Sequence, residues 1–508
     1  MKKNIIKQIS IGALTFLIFL TGCKKALDIN VDPNNPPREN GTPQLIFPAG
    51  VASAAGRIGS EYAILGGIWA QYWSQSATAS QFRYIDSYNI TQSDFNGSFD
   101  ETFAGALNDF DFTIKKSNEL GNWKFFLMGT VMKAYTYQNM VDLYDKVPYS
   151  EAFQGLANLN PKYDEGYDVY KGLIAEIDAA LSKDYNSGPT AGSADVVFDG
   201  DIAKWVQFAN TLKLKMYLRM VYAKPAEAEA GIRALPQFII DPKAPSPYLK
   251  TDAAFAKFED NPDKSNPLYE FNFRKLNINT NLRASRTLLT FLQDNADPRI
   301  ASYYTKTSTE TFLGINQGDY TNPDPALANV SVAIVKPTDP VHFISVAESY
   351  FLQAEAIERY FGGTGAKAMY DMGVEAAFAQ YGYEDQASNF TRDINTNILY
   401  DKGGVYLYPS GTFEQKLEVI IVQKWASFPG SHALEGFFEK NRTGYPRSSS
   451  IYSADPGYTG GLIVNPKTGT TGGKYPKRLI FPESEAKTNP NTPAVRPLTE
   501  NVWWDKKI

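Results

Sequence analysis

The residue with the clearest chemical role in this sequence is Cys23, the only cysteine among 508 residues. It ends the sequence LTGC at residues 20–23, after a start that carries three lysines and no acid and an apolar run that begins at Ile9. This order predicts a lipoprotein signal peptide, which is cut before the cysteine that then receives acyl chains. The apolar run is about a dozen residues long and a spanning helix needs ~20, so we expect lipid to be the membrane anchor. The alternative is an ordinary secreted protein with a chance cysteine near its cleavage site.

A second stretch with chemical potential lies between Ile68 and Tyr88, where aromatic rings alternate with amide, hydroxyl and guanidinium groups. Flat rings beside such groups suit a ligand with an apolar face and a hydroxylated rim, as sugars have and peptides have in part. The rings are those of Trp69, Tyr72, Trp73, Phe82, Tyr84 and Tyr88. The alternative is that the first three rings form the buried stripe of a helix. We favour burial for Trp69 and leave Trp73 and Tyr84 open.

We predict a ligand site where the loop after this aromatic helix meets residues 272–286 and the loop at 316–320. Trp73 and Tyr84 would offer stacking faces, and polar side chains would offer hydrogen bonds at their rims. Such a mixture is costly to bury without partners and is explained if a polar ligand supplies them. The predicted ligand-binding set is Trp73, Gln75, Gln81, Arg83, Tyr84, Asn281, Arg283, Asn316 and Tyr320.

Patterns typical of catalysis or metal binding are weak. The two histidines, His342 and His432, lie far apart in the chain and belong to no zinc or serine-triad pattern, so a structural role is favoured for His342. The glycines at 362–367 resemble a phosphate loop, but the Gly-Lys-Ser/Thr ending is missing and a turn between helices explains them better. Residues 94–100 alternate like calcium ligands, yet the twelfth position would be Gly105, so a helix-capping turn is favoured. We predict no metal, no cofactor and no catalytic residue.

The elements that must position these residues are mainly helical, because apolar residues recur at helical spacing in several long stretches. The clearest pair is 343–361 and 364–381, joined by two glycines and matching the large and small positions of a tetratricopeptide unit. We also predict helices at 123–144, 163–183 and 199–221, the last with Asp199 as its N-cap. These stretches predict a mainly helical fold with few strands and long irregular loops.

Composition limits the partners and the number of domains. The formal net charge of −5 argues against nucleic acid as a partner. No internal run looks like a flexible linker, so we predict one helical domain at 44–508, with helix pairs at 123–183, 199–221 and 343–381. Residues 1–22 would be the signal peptide, and the Pro- and Asn-rich segment at 23–43 would be a tether between lipid and domain.

Several stretches, taken in order, carry a family resemblance. They are AYTYQNMVDLYDKVPYSEAF at 134–153, DGDIAKWVQFANTLKLKMYLRM at 199–220, SVAESYFLQAEAIERY at 345–360, FEKNRTGYP at 438–446, RLIFP at 478–482 with Glu485 and Asn489, and Trp503-Trp504-Asp505. Together they resemble the SusD/RagB family of nutrient-binding outer-membrane lipoproteins, over the whole mature chain. The resemblance implies an all-α fold of tetratricopeptide-like helical pairs in a superhelix, wrapped by long irregular loops with few short strands. It also implies no catalytic activity.

The resemblance also implies a partner and a location. The partner would be a SusC-like TonB-dependent transporter, over which the protein sits as a lid that captures an oligosaccharide or peptide. The location would be the outer membrane, with the lipid-anchored protein exposed on the cell surface. It assigns no ligand residues, because the binding loops of this family diverge between members.

Three functions compete at this point. The leading one is a binding lipoprotein without enzymatic activity that delivers a nutrient to a transporter. A surface glycoside hydrolase would need two carboxylates ~5–10 Å apart in a cleft, and no pair among the 55 acids stands out in the sequence. An adhesive or scaffold lipoprotein built on helical repeats would need a groove without a polar and aromatic pocket.

Overall fold

The computed structural model describes residues 41–278, 280–321, 325–391, 406–467 and 469–507. The predicted signal peptide, Cys23 and most of the predicted tether lie outside the described residues. No helix in the part of the chain that is described has the length and apolar character needed to cross a membrane.

The described chain is built mostly from helices. In chain order they are α1 (Pro43–Ile58), α2 (Glu61–Trp69), α3 (Arg83–Asp86), α4 (Asn96–Glu101), α5 (Asn108–Leu120), α6 (Trp123–Tyr144), α7 (Gly166–Leu181), α8 (Ile202–Arg219), α9 (Pro225–Ala234), α10 (Pro267–Tyr269), α11 (Arg286–Asp294), α12 (Ile300–Tyr303), α13 (Val346–Tyr360), α14 (Ala366–Ala379), α15 (Glu384–Thr391), α16 (Phe413–Ala426), α17 (Ala433–Thr443) and α18 (Glu483–Thr488). Of two π-helical turns, Thr102–Leu107 joins α4 to α5, and Glu270–Lys275 follows α10 directly. The predicted all-α class is confirmed.

Short antiparallel strand pairs join distant parts of the chain. The strands are β1 (Trp73–Gln75), β2 (Lys146–Pro148), β3 (Tyr163–Glu165), β4 (Ala253–Phe255), β5 (Leu282–Ala284) and β6 (Val341–Ile344). They pair as β1 with β5, β2 with β3 and β4 with β6. Each pair is three or four residues long, so the strands fix loops rather than form a layer.

The predicted helix pairs form and pack as neighbours. In α13 and α14 the ring of Phe351 lies 5.9 Å from that of Tyr370 and also covers Gly373, where a Cβ atom would clash with it. The two glycines before α14 adopt positive φ, as expected of a tight turn rather than a phosphate loop. Between α6 and α7 the hydroxyl of Tyr170 donates to Asp142 over 2.6 Å. The fold therefore follows from apolar stripes that bury one another.

Helix ends differ from the predictions in several places. The helix predicted from 343 begins at Val346, because Val341–Ile344 forms β6. The helix predicted from 163 begins at Gly166, because Tyr163–Glu165 pairs with β2 instead. The helix predicted from 199 begins at Ile202, and its cap is Asp201, which accepts a hydrogen bond from the amide of Ala203. The first aromatic helix ends at Trp69, so Tyr72 and Trp73 lie beyond it in a turn and in β1. Local hydrogen bonds, rather than periodicity, set these boundaries.

The acidic stretch at 94–100 forms a turn before a helix. Asp94 accepts a hydrogen bond from the amide of Thr91 over 2.7 Å, and α4 then begins at Asn96. Asp100 accepts a hydrogen bond from Ser484 over 3.0 Å. Among the described residues, no cluster of three or more histidine, cysteine or acidic side chains is arranged to hold a metal ion.

A buried network of ion pairs joins the helices at the centre of the molecule. Arg219 of α8 contacts Asp142 of α6 at 3.0 Å, and Glu435 and Glu439 of α17 at 2.7 Å each. Arg442 of α17 reaches Glu439 and also Glu355 of α13. Lys215 and Lys424 extend the network to Glu348, whose pKa they hold below its usual range although burial alone would raise it. The network therefore pairs opposite charges on helices that are far apart in the sequence.

Candidate ligand-binding site

The three segments of the predicted ligand site meet in the structure. β1 and β5 pair so that Ser74 lies opposite Arg283 and Gln75 lies opposite Leu282. The hydroxyl of Ser74 lies 3.2 Å from the carbonyl oxygen of Asn316, and this contact brings in the third segment. We call this meeting point, formed by residues 73–84, 281–283 and 316–320, the candidate site.

Asp86 holds the candidate site together, and sequence reasoning missed it. Its carboxylate accepts hydrogen bonds from Ser74 Oγ at 2.9 Å, from the amide of Gln75 at 3.3 Å and from the amide of Gly318 at 2.8 Å. Burial raises the pKa of Asp86 to about 7. The only sequence signal is an acid inside a stretch rich in rings and amides, which does not reveal its partners.

Two predicted residues, Trp73 and Gln75, are buried. Trp73 is 2 % exposed, and its ring covers Gly67 of α2, where a Cβ atom would clash with the indole. Gln75 closes the following loop, since its Oε1 accepts from the amide of Phe82 at 2.7 Å and its Nε2 donates to the carbonyl of Ser76 at 3.1 Å. In this conformation both side chains are buried and stabilise the loop.

Asn281 and Arg283 also lie below the surface. Arg283 donates to the carbonyl of Val330 over 2.6 Å, and burial lowers the pKa of its guanidinium. Asn281 donates to Asn272 over 3.2 Å. Asn281 Oδ1 and Asn272 Nδ2 have no partner in the described part of the chain. Buried amide groups of this kind gain stability when a water molecule or a ligand hydroxyl reaches them.

The half-exposed residues of the predicted set form the rim of the candidate site. The guanidinium of Arg83 lies 4.9 Å from the centre of the Tyr320 ring, and its Nε donates to the carbonyl of Ala79. Asn316 donates to the carbonyl of Ser453 over 2.9 Å, while its Oδ1 has no partner among the residues described. Gln81 accepts from the amide of Ser80 over 3.0 Å. The rim thus combines one aromatic ring with a cation and amides.

Tyr84 turns away from this rim. Its ring packs towards Phe95, with 6.4 Å between the ring centres, and burial raises the pKa of its hydroxyl. Ligand contact by any residue of the predicted set stays a prediction. The half-exposed members of the set are Gln81, Arg83, Tyr84, Asn316 and Tyr320, and of these only Tyr84 directs its ring towards Phe95.

The candidate site presents groups that can bind a polar ligand, while the buried carboxyl of Asp86 is enclosed. Asp86 is fully buried and its oxygens are engaged by Ser74, Gln75 and Gly318, so a substrate cannot reach it in this conformation. Burial is the main cause of the raised pKa of Asp86, and the nearby charge of Asp319 raises it further. A ring with amide and guanidinium groups can stack on a sugar and hydrogen-bond its hydroxyls.

A family profile described as "Starch-binding associating with outer membrane" matches residues 35–459, which is most of the chain. The chain belongs to the SusD-like family. Among curated proteins, no sequence matches it.

Solved structures of this family share the fold. A SusD homologue from Bacteroides uniformis has a TM-score of 0.72 at 23% identity, covering 91% of this chain and 99% of its own. A chitin-binding SusD homologue from Flavobacterium johnsoniae has a TM-score of 0.72 at 22% identity, covering 90% and 98%. A SusD homologue from Bacteroides thetaiotaomicron has a TM-score of 0.66 at 20% identity, covering 91% and 99%. At these identities the likeness shows a shared architecture.

Proposed function

We propose that this protein captures a glycan at the outer membrane without cleaving it and passes it to a SusC-like TonB-dependent transporter. The observation that carries this proposal is the match of residues 35–459 to a family described as starch-binding and associated with the outer membrane. The relative described as chitin-binding supports the glycan class. In this proposal residues 1–22 are removed, lipid on Cys23 anchors the chain, and residues 23–43 tether a domain formed by 44–508.

The rim of the candidate site is the surface where the glycan would bind. Tyr320 would stack against a sugar ring, and Arg83, which lies 4.9 Å from the ring centre, would hold it in place and donate hydrogen bonds. Gln81 and Asn316 add amide groups that can bind hydroxyls from both sides. Asp86 already orders the loop at 316–318, so less conformational entropy is lost when a ligand binds.

The site proposal is tested by calorimetric titration of starch and chitin oligosaccharides into the protein with Tyr320→Ala. Loss of one stacking ring should cost on the order of 1 kcal/mol, which weakens binding about fivefold. Phe361→Ala is a matched control, because Phe361 is also partly exposed with an arginine, Arg233, 5.3 Å from its ring centre. Equal affinities for Tyr320→Ala and wild type would contradict the placement of the site.

The transporter proposal needs a separate test. The tagged protein would be purified from detergent-solubilised outer membranes, and co-purified proteins would be identified by mass spectrometry. We expect a TonB-dependent receptor in near-equal amount. If only this chain is recovered, also after chemical crosslinking in intact cells, the delivery role is contradicted while glycan binding is left standing. The alternative function, a glycoside hydrolase, is tested by the glycan titrations. Shortened oligosaccharide in those mixtures would favour it.

A further inference from the structure

A cavity of about 520 Å³ lies beside β6, away from the rim of the candidate site. Trp73 lines it, whereas Ser74, the next residue of β1, contacts Asp86 and Asn316. Successive residues of a strand point to opposite faces, so the cavity and the rim lie on opposite sides of β1. Its volume is within the range of small-molecule sites.

Two carboxylates line this cavity. Asp252 accepts a hydrogen bond from the amide of Val346 over 2.7 Å, and its other oxygen lies 3.4 Å from Nε2 of His342. Asp339 accepts from the amide of Lys336 over 2.8 Å. The basic side chains of the lining are Lys336, which is exposed to solvent, and His342, which contacts Asp252. Among the described residues, no cation of the lining forms an ion pair with the Asp339 carboxylate. The lining therefore favours a positively charged occupant.

Aromatic rings form another part of the cavity wall. Tyr303 and Tyr381 stand perpendicular to each other with their ring centres 5.0 Å apart, and both line the cavity with Trp73. The hydroxyl of Tyr303 donates to the carbonyl of Ala426 over 3.0 Å, which fixes that ring. Ring faces attract cations, most strongly where water is excluded. Carboxylates and aromatic rings in one cavity therefore both favour a positively charged ligand.

We propose that this cavity binds a small molecule that carries an ammonium group. The ammonium would lie between the carboxylates of Asp252 and Asp339 and the faces of Tyr303 and Tyr381, and the rest of the ligand would contact Trp73. A neutral ligand lacks the charge attraction to two carboxylates that an ammonium group has, and an anion is repelled by them. The cavity is therefore a second site, with a selectivity that differs from that of the rim, where the cation is Arg83.

The test uses fluorine-labelled tryptophan, because the chain has 7 tryptophans and Trp73 can report from inside the cavity. The Trp73 resonance would be assigned with Trp73→Phe, and the full chain would be titrated with butylammonium chloride or with butan-1-ol. We expect a saturable shift of this resonance with butylammonium and none with the alcohol, which has the same chain but no charge. Equal shifts with both probes would overturn the proposal.

Carboxamide variants test the role of the acids. Asp339→Asn keeps an acceptor for the amide of Lys336, and we expect it to weaken butylammonium binding about tenfold. Asp263→Asn is the control, because Asp263 lines a different cavity of about 560 Å³. Unchanged affinity in a folded Asp339→Asn protein, and also in Asp252→Asn, would overturn the proposal. Tyr320→Ala should leave the shift unaltered, so failure here is distinguishable from failure of the glycan site.

Discussion

Trp73 shows how burial and ligand contact give the same sequence signal. Its spacing from Trp69 and Tyr72 fits both a buried stripe and an exposed ring, and only the end of α2 at Trp69 decides between them. The chain leaves the helix and pairs β1 with β5, which turns the indole inwards over Gly67. The ring is therefore part of the core and also of a cavity wall.

We predict that Trp73→Ala costs ~3–5 kcal/mol of unfolding free energy, because removing a buried indole leaves a large void. Tyr320→Ala, at a half-exposed position, should cost about 1 kcal/mol or less. Denaturant titration of both variants checks the difference. A stable Trp73→Ala protein that has lost glycan binding would show that the indole is a ligand contact after all.

The buried carboxyl of Asp86 leads to a prediction about how the stability of the fold depends on pH. Because burial raises its pKa to about 7, the folded protein holds this proton more tightly than the unfolded chain does. Its contribution to stability is complete below pH ~4 and is lost as the pH rises through ~7. The stability of wild type relative to Asp86→Asn should therefore fall by up to about 4 kcal/mol between those limits. Denaturant titration of both proteins at each pH checks this. If their free energies of unfolding change in parallel with pH, the prediction is contradicted.

At the scale of elements, periodicity predicted helices well and their ends less well. The bounds of α6 match the prediction of 123–144, because Asn122 caps the start and a strand begins at Lys146. The stretch Tyr163–Glu165 was predicted as helix, and it became β3 because β2 offers it hydrogen bonds across the turn. Pairing of this kind depends on distant residues and is invisible in a local window.

The stretches that carry the family resemblance build the centre of the fold. Asp142, Arg219, Glu355 and Glu439 come from four of them and meet in the buried ion network. None of these stretches contributes to the rim of the candidate site. The resemblance therefore predicted the architecture and could not predict the ligand residues.

We predict that Arg219→Met is destabilising by ~3–5 kcal/mol, because it leaves the carboxylate of Asp142 buried without its cation. Glu435 and Glu439 lose one partner each and keep Lys215 and Arg442. Arg233→Met on α9 is the control. Arg233 pairs with Glu229 at 2.8 Å on the surface, where such pairs contribute ~1 kcal/mol or less. Thermal unfolding of both variants checks this, and equal losses would show that the central network is not what holds these helices together.

At the scale of the whole molecule, contacts between distant segments limit what sequence can reveal. His342 and His432 lie far apart in the chain, yet their rings stack with centres 6.3 Å apart and His432 contacts Glu348 at 2.8 Å. This arrangement fits the structural role favoured for His342. The cavity that His342 lines was not predicted, because it is assembled from seven separate segments.

We predict that Cys23→Ala releases the protein from the membrane, because lipid on Cys23 is the proposed anchor. Fractionation of cells without detergent, followed by detection of the protein in soluble and membrane fractions, checks this. A transporter partner could retain some of the variant, so the measurement should be repeated in cells that lack the receptor. Firm membrane association of the variant in such cells would contradict the anchor.

The central claim is that this protein binds a glycan and leaves it intact. The most direct measurement is native mass spectrometry of the mature protein after overnight incubation with a panel of starch, chitin and other neutral oligosaccharides. The account predicts a one-to-one complex with at least one of them, at the full mass of the oligosaccharide supplied. Absence of any complex across the panel, or recovery of the sugar in shortened form, would contradict it.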